Sequence, residues 1–315
     1  MTADGQLARP RLHPLVAVAI GIASVSFSAI LIRYAFGDDP DPRMAVSISF
    51  YRLLFATLAL APLALVRGDW GPVTRRDATA LGFVGVVLAA HFALWIGSLA
   101  FTSVANSVVI VSLEAIFVPL GAHFVLKERV PRGMALGVLV AFLGTTLVFA
   151  SDFRGAETSR RALLGDAMSL VAGLAAAAYF LAGRRYRQRL GLLAYAFTVY
   201  GACTVTLLAV ALAIDAPLWG FPARTWWLFG AMALFPHLLG HTMLNWALRW
   251  VAAPVVTIAV VAEPVVSSLL AIALFAEIPG ALAIPGALLT LGAVAYVMWT
   301  EARRPRIRQV APAPP

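Results

Sequence analysis

Glu114 and Glu263 each lie near the middle of an apolar run long enough to cross a lipid bilayer, and each is followed fourteen residues later by another glutamate, Glu128 and Glu277. A carboxyl group in hydrocarbon is costly to ionise, so it persists there beside a partner, in a wet path, or where its proton comes and goes. The acids of the two runs are 149 positions apart. Arg52, His91, His237 and His241 interrupt other apolar runs. Carboxylates and imidazoles of this kind can exchange protons near neutral pH, and a guanidinium can hold an anion.

Composition sets the solvent in which these groups work. The 315-residue chain is 61% hydrophobic and 12% charged, with a mean hydropathy of +0.88, against about 25% charged in an ordinary soluble domain. It reads as an all-α membrane protein. The net charge of +9 does not imply a nucleic-acid partner, because the arginines punctuate apolar spans instead of clustering on a soluble face. The single cysteine, Cys203, lies inside a span, so no disulfide can form within the chain. His-Glu-x-x-His motifs, Cys/His metal spacing and a catalytic Ser/His/Asp set are missing from the sequence. No metal, no cofactor and no enzyme activity is therefore expected. Nor do scattered single acids form the rings of charge that select ions in a channel.

Runs of about 18 or more apolar residues predict ten transmembrane helices, at 15–36, 44–66, 78–100, 104–126, 133–150, 163–183, 192–214, 225–248, 253–275 and 281–300. With the N-terminus in the cytoplasm, seventeen of the 24 Lys and Arg residues fall on the inner side, and only Arg43, Arg154, Arg160, Arg161 and Arg224 face out. That bias predicts both termini inside, in a plasma (inner) membrane. The polar stretch between the fifth and sixth helices divides the chain into five and five. The expected organisation is a cytoplasmic segment 1–14, a repeat 15–150, a linker 151–162, a repeat 163–300 and a disordered tail 301–315. Five is odd, so the second repeat enters the membrane upside-down relative to the first, the inverted-repeat architecture of many secondary transporters. At the 149-residue offset, identities include Glu114/Glu263, Leu120/Leu269, Glu128/Glu277, Gly137/Gly286 and Leu139/Leu288.

Depth along each helix, at 1.5 Å per residue, puts Arg52, His91 and Glu114 at one level, about 15 Å in. A lone guanidinium there needs a counterion, so an Arg52–Glu114 pair with His91 nearby is expected. Trp95, one turn beyond His91, could stack on an aromatic or aliphatic group. Ser103, Ser107, Glu114 and Gly121 fall on one helical stripe, read as a cavity wall. In the second half, Glu263 shares its level with His237, and the two are read as the proton-coupling groups. His241 and Asn245 follow His237 at four-residue steps and suggest a wet lining. The expected substrate-contacting set is Arg52, His91, Trp95, Ser107, Glu114, His241 and Asn245. Glu128 and Glu277, at helix ends, are read as structural.

The run Glu114-Ala-Ile-Phe-Val-Pro, the triplet Lys127-Glu128-Arg129, and Gly137 seven residues before Gly144 resemble the EamA domain of the drug/metabolite transporter superfamily. The second copy is similar, with Ala262-Glu263-Pro264-Val265-Val266, Glu277, Gly286 and Gly292. Arg52, Gly165-Asp166 and Arg184-Arg185 also match that pattern. The resemblance implies a ten-helix carrier for a small organic molecule, amino acid-like or drug-like, often exported. Its partners would be that substrate, the bilayer and, where coupled, protons.

Overall fold

The computed structural model describes residues 12–37, 41–102, 104–148, 160–275 and 281–303. Most of the expected N-terminal segment, linker and tail lie outside the described residues, as do Asp38, Asp39, Ser103 and Glu277. Among the described residues the regular structure is all helical. Nine spans are long and apolar enough to cross a bilayer: Pro14–Phe36, Pro42–Arg67, Arg75–Ser98, Asn106–Phe124, Arg160–Arg187, Leu192–Ala213, Ala223–Ala247, Ala253–Leu274 and Ala283–Arg303. A shorter apolar helix, Arg132–Val148, stands fifth in order and completes ten.

Local chemistry starts these helices where the apolar runs begin. Asp41 caps the second span, its carboxylate accepting the Arg43 amide at 2.8 Å. Thr74 and Asp77 form a reciprocal capping box at the start of the third. Asp77 also receives both Arg189 guanidinium arms from the sixth–seventh connection, and that hydrogen bonding holds Arg189 above its ordinary pKa. The polarity of the bundle suits lipid. Leu65, Phe83, Leu143, Leu212 and Ile284 are exposed on its outside, while Arg52, Glu114, His237 and Asn245 are buried within.

Helix packing obeys the duplication. If span n of the first repeat corresponds to span n+5 of the second, a two-fold relation requires every contact to recur with partners exchanged. The second span packs on the seventh, the fourth on the ninth and the fifth on the tenth, each against its own counterpart. The most extensive of the other contacts come in exchanged pairs: first with eighth and sixth with third, third with seventh and eighth with second, fourth with sixth and ninth with first. Ten spans in two five-helix repeats of opposite sense result, with Pro14 and Arg303 on one face. Positions 149 apart also share environments. Leu120 and Leu269 are 52% and 57% exposed, and Leu139 and Leu288 are 51% and 69% exposed. All four face the surroundings of the bundle.

The fifth and tenth spans cross through backbone. A Cβ on Gly144 would come within 2.7 Å of the Gly286 carbonyl, and one on Gly286 within 2.6 Å of the Gly144 carbonyl. Thr290 seals the crossing, its hydroxyl 3.3 Å from the Ala141 carbonyl and 3.4 Å from the Thr145 hydroxyl. Gly133 and Gly137 serve the same interface, against Tyr296 and Val297.

Three of the predicted continuous spans are interrupted. The first divides at Ser26 into Pro14–Val25 and Phe27–Phe36, the fourth at 112–113 into Val104–Val111 and Glu114–Phe124, and the ninth at 261–262 into Ala253–Val260 and Glu263–Phe275. Glu114 and Glu263 are thus each the first residue of a second half-helix. Before each acid the backbone tightens to bonds three residues long: Leu113 N to Ile110 O at 3.1 Å, and Ala262 N to Ala259 O at 3.0 Å. Such tight turns inside a helix mark hinges and functional positions. The eighth span departs differently, adopting a π-helix over Ala233–His241 between α-helical ends.

Candidate functional site

The interruptions in the first and ninth spans meet. Ser26 Oγ bonds back to the Ile22 carbonyl at 2.8 Å, a contact that bends helices. The Ser26 carbonyl, at the cap of the second half-helix, also accepts the Ser267 hydroxyl at 2.8 Å. Carbonyls freed by a break in lipid must find donors, and small hydroxyl side chains supply them here.

These breaks open one wall of a cavity of about 580 Å³. Its wall includes Ser28 and Arg33 of the first span, Arg52 of the second, and His91, Phe92 and Trp95 of the third. Ser112 and Glu114 come from the fourth span, Phe180 from the sixth, His241 from the eighth, and Glu263, Ser267 and Ser268 from the ninth. At one end it reaches Phe36, Gly37 and Leu99, where the first and third spans finish on the face opposite the termini. Phe180 and Leu244 floor it.

Arg52 is 1% exposed. Its Nη1 donates to Ser28 Oγ at 2.9 Å, its Cζ stands 4.5 Å from the Phe92 ring centroid, and its Nε has no hydrogen-bond partner. The expected Arg52–Glu114 pair does not form. The carboxylate whose field reaches Arg52 is Glu263 of the other repeat. Depth had put Arg52 and Glu114 at one level, but level does not fix direction around the helix axis. The ninth-span break leaves Glu263 on the same cavity as the arginine, within electrostatic reach but without an ion pair to it. Glu114 and Glu263 act on each other electrostatically, so the two repeats place their equivalent acids on one cavity.

His91 Nδ1 lies 3.0 Å from the Ala172 carbonyl of the sixth span, and its ring stacks on Trp95 with centroids 6.2 Å apart. The wall they form is aromatic with one polar edge.

Six of the nine sequence-derived residues line the cavity: Arg52, His91, Trp95, Glu114, His241 and Glu263. Ser107, Asn245 and His237 stand outside its lining. Ser107 bonds Ser98 at 2.8 Å and Ser169 at 3.1 Å, packing the fourth span against the third and sixth. The stripe read through Ser107, Glu114 and Gly121 divides at the 112–113 break, which resets the helical phase, and Gly121 packs on Leu181. Asn245 reaches Tyr179 and Tyr200, and His237 packs on Tyr200 and Phe92. His237 and His241 both sit in the π-helix with ring centroids 5.3 Å apart, and His241 alone reaches the lining. The sequence reading passed over Ser28, Phe92, Ser112, Phe180, Ser267 and Ser268. Ser267, one turn after Glu263, carried a signal; the aromatics are indistinguishable from packing residues by type.

On the face bearing the termini, a cross-link joins three spans. Lys127 takes a left-handed backbone (φ 55°), which reverses the chain so that the Glu128 amide bonds back to the Ala122 carbonyl at 2.9 Å. Glu128 then accepts Arg184 Nε at 2.7 Å, and Arg184 Nη1 donates to the Leu248 carbonyl at 2.9 Å. Gln188 adds contacts to the Leu248 and Arg249 carbonyls. The cavity thus reaches one face at Phe36, Gly37 and Leu99, and the Glu128–Arg184–Leu248 cross-link ties the spans together on the other. Among the described residues, no group of three or more His, Cys, Asp or Glu could hold a metal ion.

Comparison with known proteins agrees with this architecture. The EamA-like transporter family model matches residues 13–150 and 163–299. An uncharacterized transporter, YyaM of Bacillus subtilis strain 168, is 26% identical over 227 residues, spanning 70% of this chain and 73% of its own. A protein known from a crystal structure superposes with a TM-score of 0.72 at 18% identity, over 90% of this chain and 99% of that one. This last likeness shows the fold alone.

Proposed function

Because the chain belongs to the EamA-like transporter family, we propose that it is a secondary carrier for a small organic metabolite, amino acid-like or drug-like, that it works in the plasma membrane with both termini in the cytoplasm, and that it exports its substrate in exchange for protons. The observation that carries this reading is the cavity that holds the equivalent acid of each repeat together with Arg52. Opposite charges on one wall and aromatic rings on another suit a compact molecule with ionic and apolar ends. Arg52 offers an unpaired donor to an anionic group, and Trp95, Phe92 and Phe180 offer faces to the apolar part. Two interrupted helices with acids at the start of their second halves resemble the discontinuous helices from which many carriers build midplane sites.

Proton exchange falls to Glu263, with His237 close to the cavity wall. A carboxyl group that is ionised within the field of Arg52, and neutral once it takes a proton, is a switch of one charge. A toxicity screen in cells overproducing the protein identifies the substrate, and proteoliposomes then measure its flux. The expected result is uptake accelerated by an imposed pH gradient in the wild type, and Glu263→Gln held at the gradient-free rate with substrate exchange retained. Gradient-driven uptake undiminished in Glu263→Gln would rule out this role.

A further inference from the structure

The sixth, seventh and eighth spans enclose a second set of polar groups, just beyond the cavity wall, that substrate binding does not use. Asn245 is fully buried and donates its Nδ2 to the Tyr179 hydroxyl at 2.5 Å and to the Tyr200 hydroxyl at 3.1 Å. The Tyr200 hydroxyl lies 3.2 Å from Thr242 Oγ1, and its ring centroid is 4.3 Å from that of His237. His237 and His241 have centroids 5.3 Å apart, and His241 lines the cavity. Both ring nitrogens of His237, Nδ1 of His241, Oδ1 of Asn245 and the hydroxyl of Tyr195 have no protein partner. Two of these converge, because a Cβ on Gly183 would stand 3.2 Å from the Tyr195 hydroxyl and 3.5 Å from Asn245 Oδ1.

Buried polar groups are paired in folded proteins. Several orphans in one cluster therefore mark where water completes a hydrogen-bonded network. The eighth span is wound to present them: its π-helix carries both histidines, and π segments are rare and concentrate at functional sites. At the far end, Arg187 Nε donates to the Asn245 carbonyl at 3.1 Å and its Nη1 to the Leu190 carbonyl, in the sixth–seventh connection on the face bearing the termini.

We propose that this cluster is a hydrated proton relay, running from His241 at the cavity past His237, Tyr200, Tyr179 and Asn245 to Tyr195, and emerging beside Arg187 while the Glu128–Arg184 latch stays closed. Each imidazole, water or hydroxyl on the path takes a proton on a lone pair and releases its own, so only H⁺ moves and nothing is oxidised. Asn245 does not titrate; it orients the two tyrosine hydroxyls. The charged and titratable groups within electrostatic reach of the path are Arg52 and His91 from the cavity side, and Tyr186, Arg187 and, beside it, Arg249 at the exit. The inference deepens the proton-coupled reading above and rests on it.

Exchange of the His237 ring proton into heavy water tests the relay without a substrate. Nitrogen-15 histidine spectra of the full chain in nanodiscs, assigned with His237→Asn, read the rate. Tyr195→Phe keeps the ring and its packing, and is expected to slow exchange about tenfold, the effect of losing one buried hydrogen bond from the path. Asn245→Leu, which removes two links, is expected to slow it further. An unchanged rate in both variants overturns the relay. Slowed exchange in a protein whose wild-type transport ignores pH supports the relay and overturns the coupled reading; pH-driven transport with unchanged exchange overturns the relay alone.

Discussion

Replacing Arg52 with Leu is expected to cut transport by about 100-fold or more, while the purified protein stays helical and monodisperse. Removing one member of a buried, charge-compensated site costs about 3–5 kcal/mol, because the partner charge is left uncompensated. Here the carboxylate whose field reaches Arg52 is Glu263, and the same change removes the free Nε donor that would receive an anionic substrate group. The side chain is 1% exposed and held by Ser28 and Phe92, so Leu fills part of its volume and the fold survives. Arg52→Lys keeps the charge but loses the planar fork that bonds Ser28 and stacks on Phe92. Its transport should fall between the other two. Uptake rates in proteoliposomes, with circular dichroism on the same preparations, decide the matter. Wild-type rates in Arg52→Leu would make the arginine a packing residue and remove the anion-binding half of the proposed site.

Gly144→Leu is expected to abolish the folded protein. Overpacking a close-packed interior typically costs about 1–3 kcal/mol, and more where the neighbour cannot yield. At this crossing the neighbours are backbone, the Gly286 carbonyl and the Thr290 amide, each within 2.7 Å of any Cβ on Gly144. Neither can rotate away as a side chain would, so the fifth and tenth spans must part and the Thr290 contacts break with them. Gly292 provides the control, since a Cβ there would meet nothing within 4 Å. Gly292→Leu should be extracted and should melt like the wild type, whereas Gly144→Leu should aggregate on extraction. Equal yields and melting temperatures would refute the backbone-to-backbone crossing.

The two glycines show how far the sequence could be read. Gly144 and Gly292 each follow the shared glycine of their repeat, Gly137 and Gly286, but fall one position apart at the 149-residue offset; one carries a helix crossing and the other faces open space. Residue type reports that a close approach is possible, not that one occurs. The ten spans were legible because bilayer thickness sets a minimum apolar length, and most observed ends lie within about four residues of the expected ones. The acids were legible because ionisable groups in hydrocarbon are too costly to be incidental. The breaks beside them were not. Ser26, Ser112, Thr145 and Ser267 satisfy or bend the backbone there, but serine and threonine occupy unbroken helices as well, and Pro264 was the one helix-start signal. Treating the spans as straight rods ignored direction around each axis, which is why the expected Arg52–Glu114 pair does not form and the field of Glu263 reaches Arg52 instead. Asn245 and His237 likewise fall outside the lining while His241 stays within it.

In the proposed carrier the cavity built from both repeats opens to one face at a time. In a Cys203→Ala background, a cysteine at Ser112 places one thiol on the cavity wall, and a membrane-impermeant maleimide added to either face reads its access. The account predicts labelling from the face opposite the termini and protection from the other face. Arg184→Ala, which breaks the latch to Glu128 and Leu248, should shift labelling to the face bearing the termini. Labelling from both faces at once in the unlatched or the parent protein would contradict the account, because it would describe a pore instead of a carrier.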